Sequence, residues 1–87
     1  MKSGMDGLRK RSINLSGHAT SLALEAEFWE GLEEMARRQG RSLAGVIGAI
    51  DEGREGRPLA SACRLAVLRD LRAAAGAVRQ TDLNGSE

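Results

Sequence analysis

Arg9, Lys10 and Arg11 stand just ahead of a small polar cluster, Gly17, His18, Thr20 and Ser21, and these are the side chains in the chain best suited to holding a phosphate. Cations neutralise phosphates, and affinity for nucleic acid rises with the number neutralised. Three adjacent cations are few beside the roughly 6–10 contacts of a strong electrostatic binder, so a solvated tail explains them equally well on charge alone. His18 is the single histidine. It reads either as a turn histidine bonded to backbone or as an anion contact. No carboxylate is placed by motif to orient it as a triad partner. With one histidine and one cysteine, Cys63, there is no metal-ligand spacing and no internal disulfide. Nor is there a nucleophile–base pair or a phosphate-cradling glycine loop. The expectation is a binding protein without catalytic residues, metal or cofactor.

The net charge of +1 conceals an uneven distribution. Residues 1–11 carry Lys2, Arg9, Lys10 and Arg11 against Asp6, a balance of +3, whereas residues 12–87 hold nine basic and eleven acidic residues, or −2. This start is expected to be a flexible basic arm. At 87 residues the chain makes one domain at most, and small domains bury proportionally little surface, a shortfall that oligomerisation commonly relieves. Only Phe28 and Trp29 are aromatic, so the core must be aliphatic, which suits helix packing. A lone cysteine fits a reducing cytoplasm. No apolar run approaches the roughly 20 residues that span a bilayer, and Lys2 is not followed by an apolar signal core.

The elements that position the cluster begin with alternation. Ser12–Leu15 alternates polar and apolar, Ser16–Gly17 is a turn signal, and a second alternation starts near Ala19. Two short strands are possible, although Ser12–Leu15 also reads as the end of the arm. In the second strand Thr20, Leu22 and Leu24 share one face and Ala19, Ser21 and Ala23 the other, so the leucine face should be buried. A lone strand leaves its amides and carbonyls unpaired, and the same strand of a second copy is the expected ladder partner.

Residues 25–39 read as a helix with Phe28, Leu32, Met35 and Ala36 inward, Trp29 beside them, and Gly40 as C-terminal cap. Its outer surface carries Glu27, Glu30, Glu33, Glu34, Arg37 and Arg38, with Glu33–Arg37 and Glu34–Arg38 spaced for i,i+4 pairing. Ser42 is placed to cap a second helix whose Leu43, Val46, Ile47 and Ile50 recur at helical spacing. Gly45 and Gly48 inside it each cost about 1 kcal/mol relative to alanine, which suggests close approach to another backbone in a dimer interface. Residues 51–58 read as a helix end and loop. A third helix runs from Leu59 to about Ala75, apolar on more than one side, before a tail over residues 76–87 expected to be disordered.

Phe28 and Trp29 offer a base-stacking platform in principle, but an aromatic at helical spacing is ordinarily there for burial. Cys63, on an apolar helix, reads as packing rather than as a redox sensor. Asp51, Arg54 and Arg64 suggest an ion pair or a partner surface, and Arg57 and Arg69 belong to solvated faces.

The pattern across residues 19–50 resembles the ribbon-helix-helix DNA-binding family, including its Arc-like and methionine-repressor-like members. It is carried by Leu22 and Leu24, by Leu32, Met35 and Ala36, by Gly40, Arg41 and Ser42, and by Leu43, Val46 and Ile47. A longer pattern is similar to a mostly uncharacterised bacterial subgroup with a Gly-His-x-Thr-Ser strand motif. It runs through Arg11, Ser12, Gly17, His18, Thr20, Ser21, Phe28, Trp29, Ser42, Leu43, Ile50, Asp51, Arg54, Leu59, Ser61 and Arg64. The resemblance implies a mostly α fold with short N-terminal strands pairing across an intertwined homodimer, plus a third C-terminal helix. The domain would occupy residues 12–75. It implies that Ala19, Ser21 and Ala23 face the major groove, and that Ser42 and Leu43, with Arg41 beside them, hold a backbone phosphate at the second helix N-terminus. Leu22, Leu24, Phe28, Trp29, Leu32, Val46, Ile47 and Ile50 would form the dimer core. The family typically places Arg, Lys, Asn, Gln or Thr at the outward strand positions. Two alanines here leave only apolar contact, so Ser21, Thr20, His18 and the basic arm must supply the rest, or the fold has another task.

The expected function is therefore a homodimeric, cytoplasmic bacterial transcriptional regulator that inserts a two-stranded antiparallel ribbon into double-stranded DNA. The alternative is a protein-interaction module, an antitoxin or adaptor, that keeps the dimer and binds a partner protein through its C-terminal helix.

Overall fold

The hairpin at the start of the chain follows from its turn. Ser16 and Gly17 both adopt positive φ, 52° and 82°, the two-residue geometry whose twist matches that of the strands on either side. A computed structural model describes residues 7–85 of the protein, with side-chain surroundings through residue 76. It contains β1 (Leu8–Leu15), β2 (His18–Glu25), α1 (Ala26–Gln39), α2 (Leu43–Glu52) and α3 (Leu59–Gly85). The strands form one antiparallel pair with Leu15 opposite His18, Ile13 opposite Thr20, Arg11 opposite Leu22 and Arg9 opposite Leu24.

This pairing corrects the sequence reading at its first premise. The ladder partner of β2 is β1 of the same chain, so the Leu22 and Leu24 strand needs no second copy to satisfy its backbone along that edge. The expected boundary of the basic arm also moves, because Arg9, Lys10 and Arg11 lie inside β1. The part of that arm over residues 1–6 lies outside the described residues. At the other end, the segment expected to be a disordered tail continues α3 as helix through Gly85.

The two-residue alternation places Ile13, Leu15, Leu22 and Leu24 on one face, and all four are buried. Against them pack Trp29, Leu32, Met35 and Ala36 of α1, Val46 and Ile47 of α2, and Cys63 and Val67 of α3. Phe28 and Ile50 lie half-buried at the edge of this core. Each fully buried large side chain contributes about 1.5–3 kcal/mol, so this one-chain core supplies much of the driving force for folding. Of the eight residues expected in a dimer core, Leu22, Leu24, Trp29, Leu32, Val46 and Ile47 are thus buried by their own chain.

The helix ends follow local chemistry. Gly40 takes the left-handed conformation at φ 66°, and its amide donates to the Ala36 and Arg37 carbonyls, closing α1. Ser42 caps α2, its Oγ accepting from the Gly45 amide at 2.9 Å. Within the chain the glycines inside α2 meet side chains. A Cβ on Gly48 would touch Leu15 at 4.0 Å, and one on Gly45 would crowd Ser42 Oγ at 3.1 Å. The close approach occurs instead at Gly31, where a Cβ would lie 2.6 Å from Val67 Cγ1, so α1 and α3 meet through a missing side chain.

Candidate nucleic-acid interface

The face of the hairpin turned away from the core is built by the register. Lys10 stands opposite Ala23, Ser12 opposite Ser21 and Asn14 opposite Ala19. All of these are exposed except Ala23, which is half-buried. The three outward positions expected on β2 are therefore where they were placed, and β1 sets a polar row beside them that the sequence reading had not assigned to the site. Ser12 and Asn14 are the residues missed. The signal was the turn itself, since counting outward from Ser16–Gly17 pairs Asn14 with Ala19.

Arg11 is committed elsewhere. It shares the core-side face with Leu22, and its guanidinium lies 4.5 Å from the centre of the Trp29 ring. Its Nη1 donates to Glu33 at 2.9 Å. Trp29 in turn donates from Nε1 to the Arg9 carbonyl at 2.8 Å. Trp29 is therefore an anchor between β1 and α1, not a platform for bases, and its ring is buried. The pairing expected between Glu33 and Arg37 gives way to Glu33–Arg11, while Arg37 pairs with Glu34 one turn away. Arg38 bridges Glu34 and Asp70, joining α1 to α3. Of the basic residues of β1, Lys10 is on the outward face, and Arg9, opposite Leu24 on the core-side face, is exposed as well.

His18 is exposed where the turn re-enters β2, opposite Leu15 on the core-side face, and so stands apart from the row of Ala19, Ser21 and Ala23. At the start of α2, Arg41 donates to the Gly45 carbonyl at 3.1 Å, Ser42 Oγ is engaged as cap, and Leu43 is half-buried against the core. The first-turn amides of Leu43 and Ala44 precede the first intrahelical bond, from Val46 to the Ser42 carbonyl. They are the donors that remain to face an acceptor. α2 also packs on β1, with Val46 and Ile47 in one buried cluster with Ile13 and Leu15.

A model of the ribbon-helix-helix domain matches residues 8–71, starting at β1 and ending within α3. The chain belongs to that family. No curated protein and no solved structure matches it. The matched span includes the entire hairpin, so in this ribbon-helix-helix domain β1 is part of the module and not an appended arm.

The other polar residues noted in the sequence are structural. Arg54 Nε donates to Asp51 at 2.7 Å, and Arg64 Nε donates to Glu25 at 2.9 Å while lying over the Phe28 ring. The Glu25 carboxyl is held below its ordinary value, chiefly by the hydrogen bond from Arg64. Cys63 is fully buried, and burial pushes its thiol up to about 11, against the depressed value that redox sensing requires. Among the described residues no group of three or more His, Cys, Asp or Glu is placed to hold a metal ion. No described helix is long and apolar enough to cross a membrane.

Proposed function

We propose that this ribbon-helix-helix protein is a DNA-binding transcriptional regulator of a bacterial cytoplasm, acting as a homodimer, whose hairpin enters the major groove with its outward face against the bases. The observation that carries the reading is the two-stranded antiparallel ribbon with exposed Lys10, Ser12, Asn14 and Ser21 on one side and a packed core on the other. A groove admits such a ribbon, and a core behind it holds it in one orientation. Arg9, Lys10 and Arg41 supply electrostatic affinity, and the open amides at the start of α2 receive a phosphate.

A polarisation titration of the full chain with duplex DNA at about 50 and 200 mM salt tests this. Three phosphate contacts per chain, six in the homodimer, predict roughly a 10³-fold loss of affinity across that interval. Absence of duplex binding at the lower salt refutes the reading, and the measured mass of the free protein reports the dimer.

A specific observation also favours the adaptor or antitoxin reading. Leu68 and Leu71 are 44% and 57% exposed on α3, beside a groove of about 410 Å³ lined by Phe28, Arg64, Leu65 and Val67. A stoichiometric protein retained through high salt from native extract, and lost on Leu68→Glu, supports that reading. Nucleic acid released by high salt supports the regulator.

A further inference from the structure

We infer that the cleft between α2, the turn that follows it and α3 is a binding site for a small phosphate ester with a hydroxylated body, its phosphate held by Arg57 and Arg69. The site is separate from the hairpin, and the inference stands independently of the DNA-binding reading.

The cleft exists because small residues leave it open. Ala49 of α2 and Gly53 at its C-cap are four apart, as are Ala62 and Ala66 on α3, and between them lies a space of about 370 Å³ over Ile50 and Leu65. That volume falls within the roughly 300–1,000 Å³ of small-molecule sites. Arginines stand around it, Arg54 and Arg57 from the turn and Arg69 from α3. Taken singly along the sequence, Arg57 and Arg69 are solvated side chains; the fold brings them to one opening.

The turn fixes its part of the rim. The Arg57 amide donates to the Arg54 carbonyl at 3.0 Å, and Arg54 Nη1 donates back to the Arg57 carbonyl at 2.7 Å. Glu55 and Gly56 between them take positive φ, 54° and 85°, a conformation uncommon for a glutamate. Arg54 also gives its Nε to Asp51 at 2.7 Å, which balances its charge. Arg57 and Arg69 are both exposed, and neither forms an ion pair among the described residues. Two uncompensated guanidinium groups thus line one opening with a single carboxylate, Glu55.

That arrangement selects the ligand. One planar guanidinium fork saturates a carboxylate, whereas a phosphate monoester brings roughly two negative charges and three acceptor oxygens, enough to engage both arginines. Glu55 repels a bare anion but accepts from a hydroxyl on the body of an ester. Position separates the cleft from the phosphates of a bound duplex. It opens at the C-terminal end of α2, ten residues and about 15 Å along the helix from the open amides of Leu43 and Ala44.

Glycerol phosphate titrated into the isotope-labelled full-length protein, followed through backbone amide and arginine Nε–H resonances, tests the inference. Saturable shifts should appear at Gly53, Glu55, Gly56, Arg57 and Arg69, and not at Arg9, Lys10 or Arg72. Inorganic phosphate should bind more weakly than the ester, and glycerol not at all. Arg57→Gln and Arg69→Gln should each weaken binding by about 10- to 150-fold, the range for a charge-assisted contact. Arg72→Gln, on the same helix but outside the cleft, should leave it unchanged. Ala49→Leu, at an exposed position, fills the cleft without altering charge and should abolish binding. Melting temperatures of the unliganded arginine variants should match the parent chain, since both side chains are exposed. Shifts that spread over all exposed arginines, or that survive both Arg57→Gln and Arg69→Gln, overturn the inference, as does absence of saturation by about 10 mM ester. Duplex DNA that shifts Arg57 and Arg69 when the ester does not would assign the phosphate to nucleic acid and overturn the small-molecule site.

Discussion

Gly31→Ala tests whether α3 is built into the domain or merely appended to it. A methyl at that position would sit 2.6 Å from Val67 Cγ1 and 3.3 Å from Cγ2, where carbon atoms prefer about 3.5–4.0 Å, so one helix must retreat by about 1 Å. Val67 cannot readily swing aside, because it is buried and a β-branched residue in a helix is confined largely to one rotamer. Two effects oppose one another. Alanine is favoured over glycine in a helix by about 1 kcal/mol, whereas overpacking a core contact costs about 1–3 kcal/mol. The expected balance is a destabilisation of about 1 kcal/mol. Val67→Ala alone removes two buried methyl groups, a loss of about 2 kcal/mol including the cavity. In the double variant the new methyl occupies space that Val67 vacated, so the two changes should couple favourably by about 1–2 kcal/mol. Urea denaturation of the parent, both single variants and the double variant, at one protein concentration, closes this cycle. Stabilisation by Gly31→Ala alone, with no coupling to Val67, would refute the α1–α3 contact and with it the claim that the third helix belongs to the folding unit.

Arg11→Ala, which removes the stack on Trp29 and the pair with Glu33, should lower stability by about 1 kcal/mol and leave the salt slope of DNA binding unchanged. Lys10→Ala should do the reverse, reducing that slope by about two in the homodimer, one per chain, with stability unaltered, and equal slopes for the two would contradict the separation of their roles. Cys63, buried with its thiol pushed up to about 11, should resist aromatic disulfide reagents at pH 8 until denaturant is added; rapid labelling of the folded protein would show that α3 opens there. Because the folded Glu25 carboxyl lies below its ordinary value, its pairing with Arg64 stabilises the fold above the ordinary carboxylate range and is lost as pH falls through the folded value. Glu25→Gln should remove that part of the acid sensitivity, and an NMR titration placing Glu25 at or above its ordinary value would disprove the cause.

What could be read from the sequence was whatever local rules govern. The apolar spacing along α1 and α2, the left-handed stop at Gly40 and the Ser42 cap depend on neighbours within a few residues, and each appears where those rules place it. The faces of β2 were equally legible, because Leu22 and Leu24 differ in kind from Ala19, Ser21 and Ala23. The partner of β2 was not, and the reason lies in β1. Its core-side face begins with Arg9 and Arg11 before reaching Ile13 and Leu15, so hydrophobic alternation disappears over half the strand and the charges look like a tail. Arginine can occupy that face only because the Trp29 ring lies under one guanidinium and Glu33 beside it, twenty or so residues further along the chain. The same long-range contact that hid the strand also commits Arg11 to the Trp29 ring and Glu33. Basic charge in this sequence was therefore read as affinity, when part of it fastens the ribbon to α1.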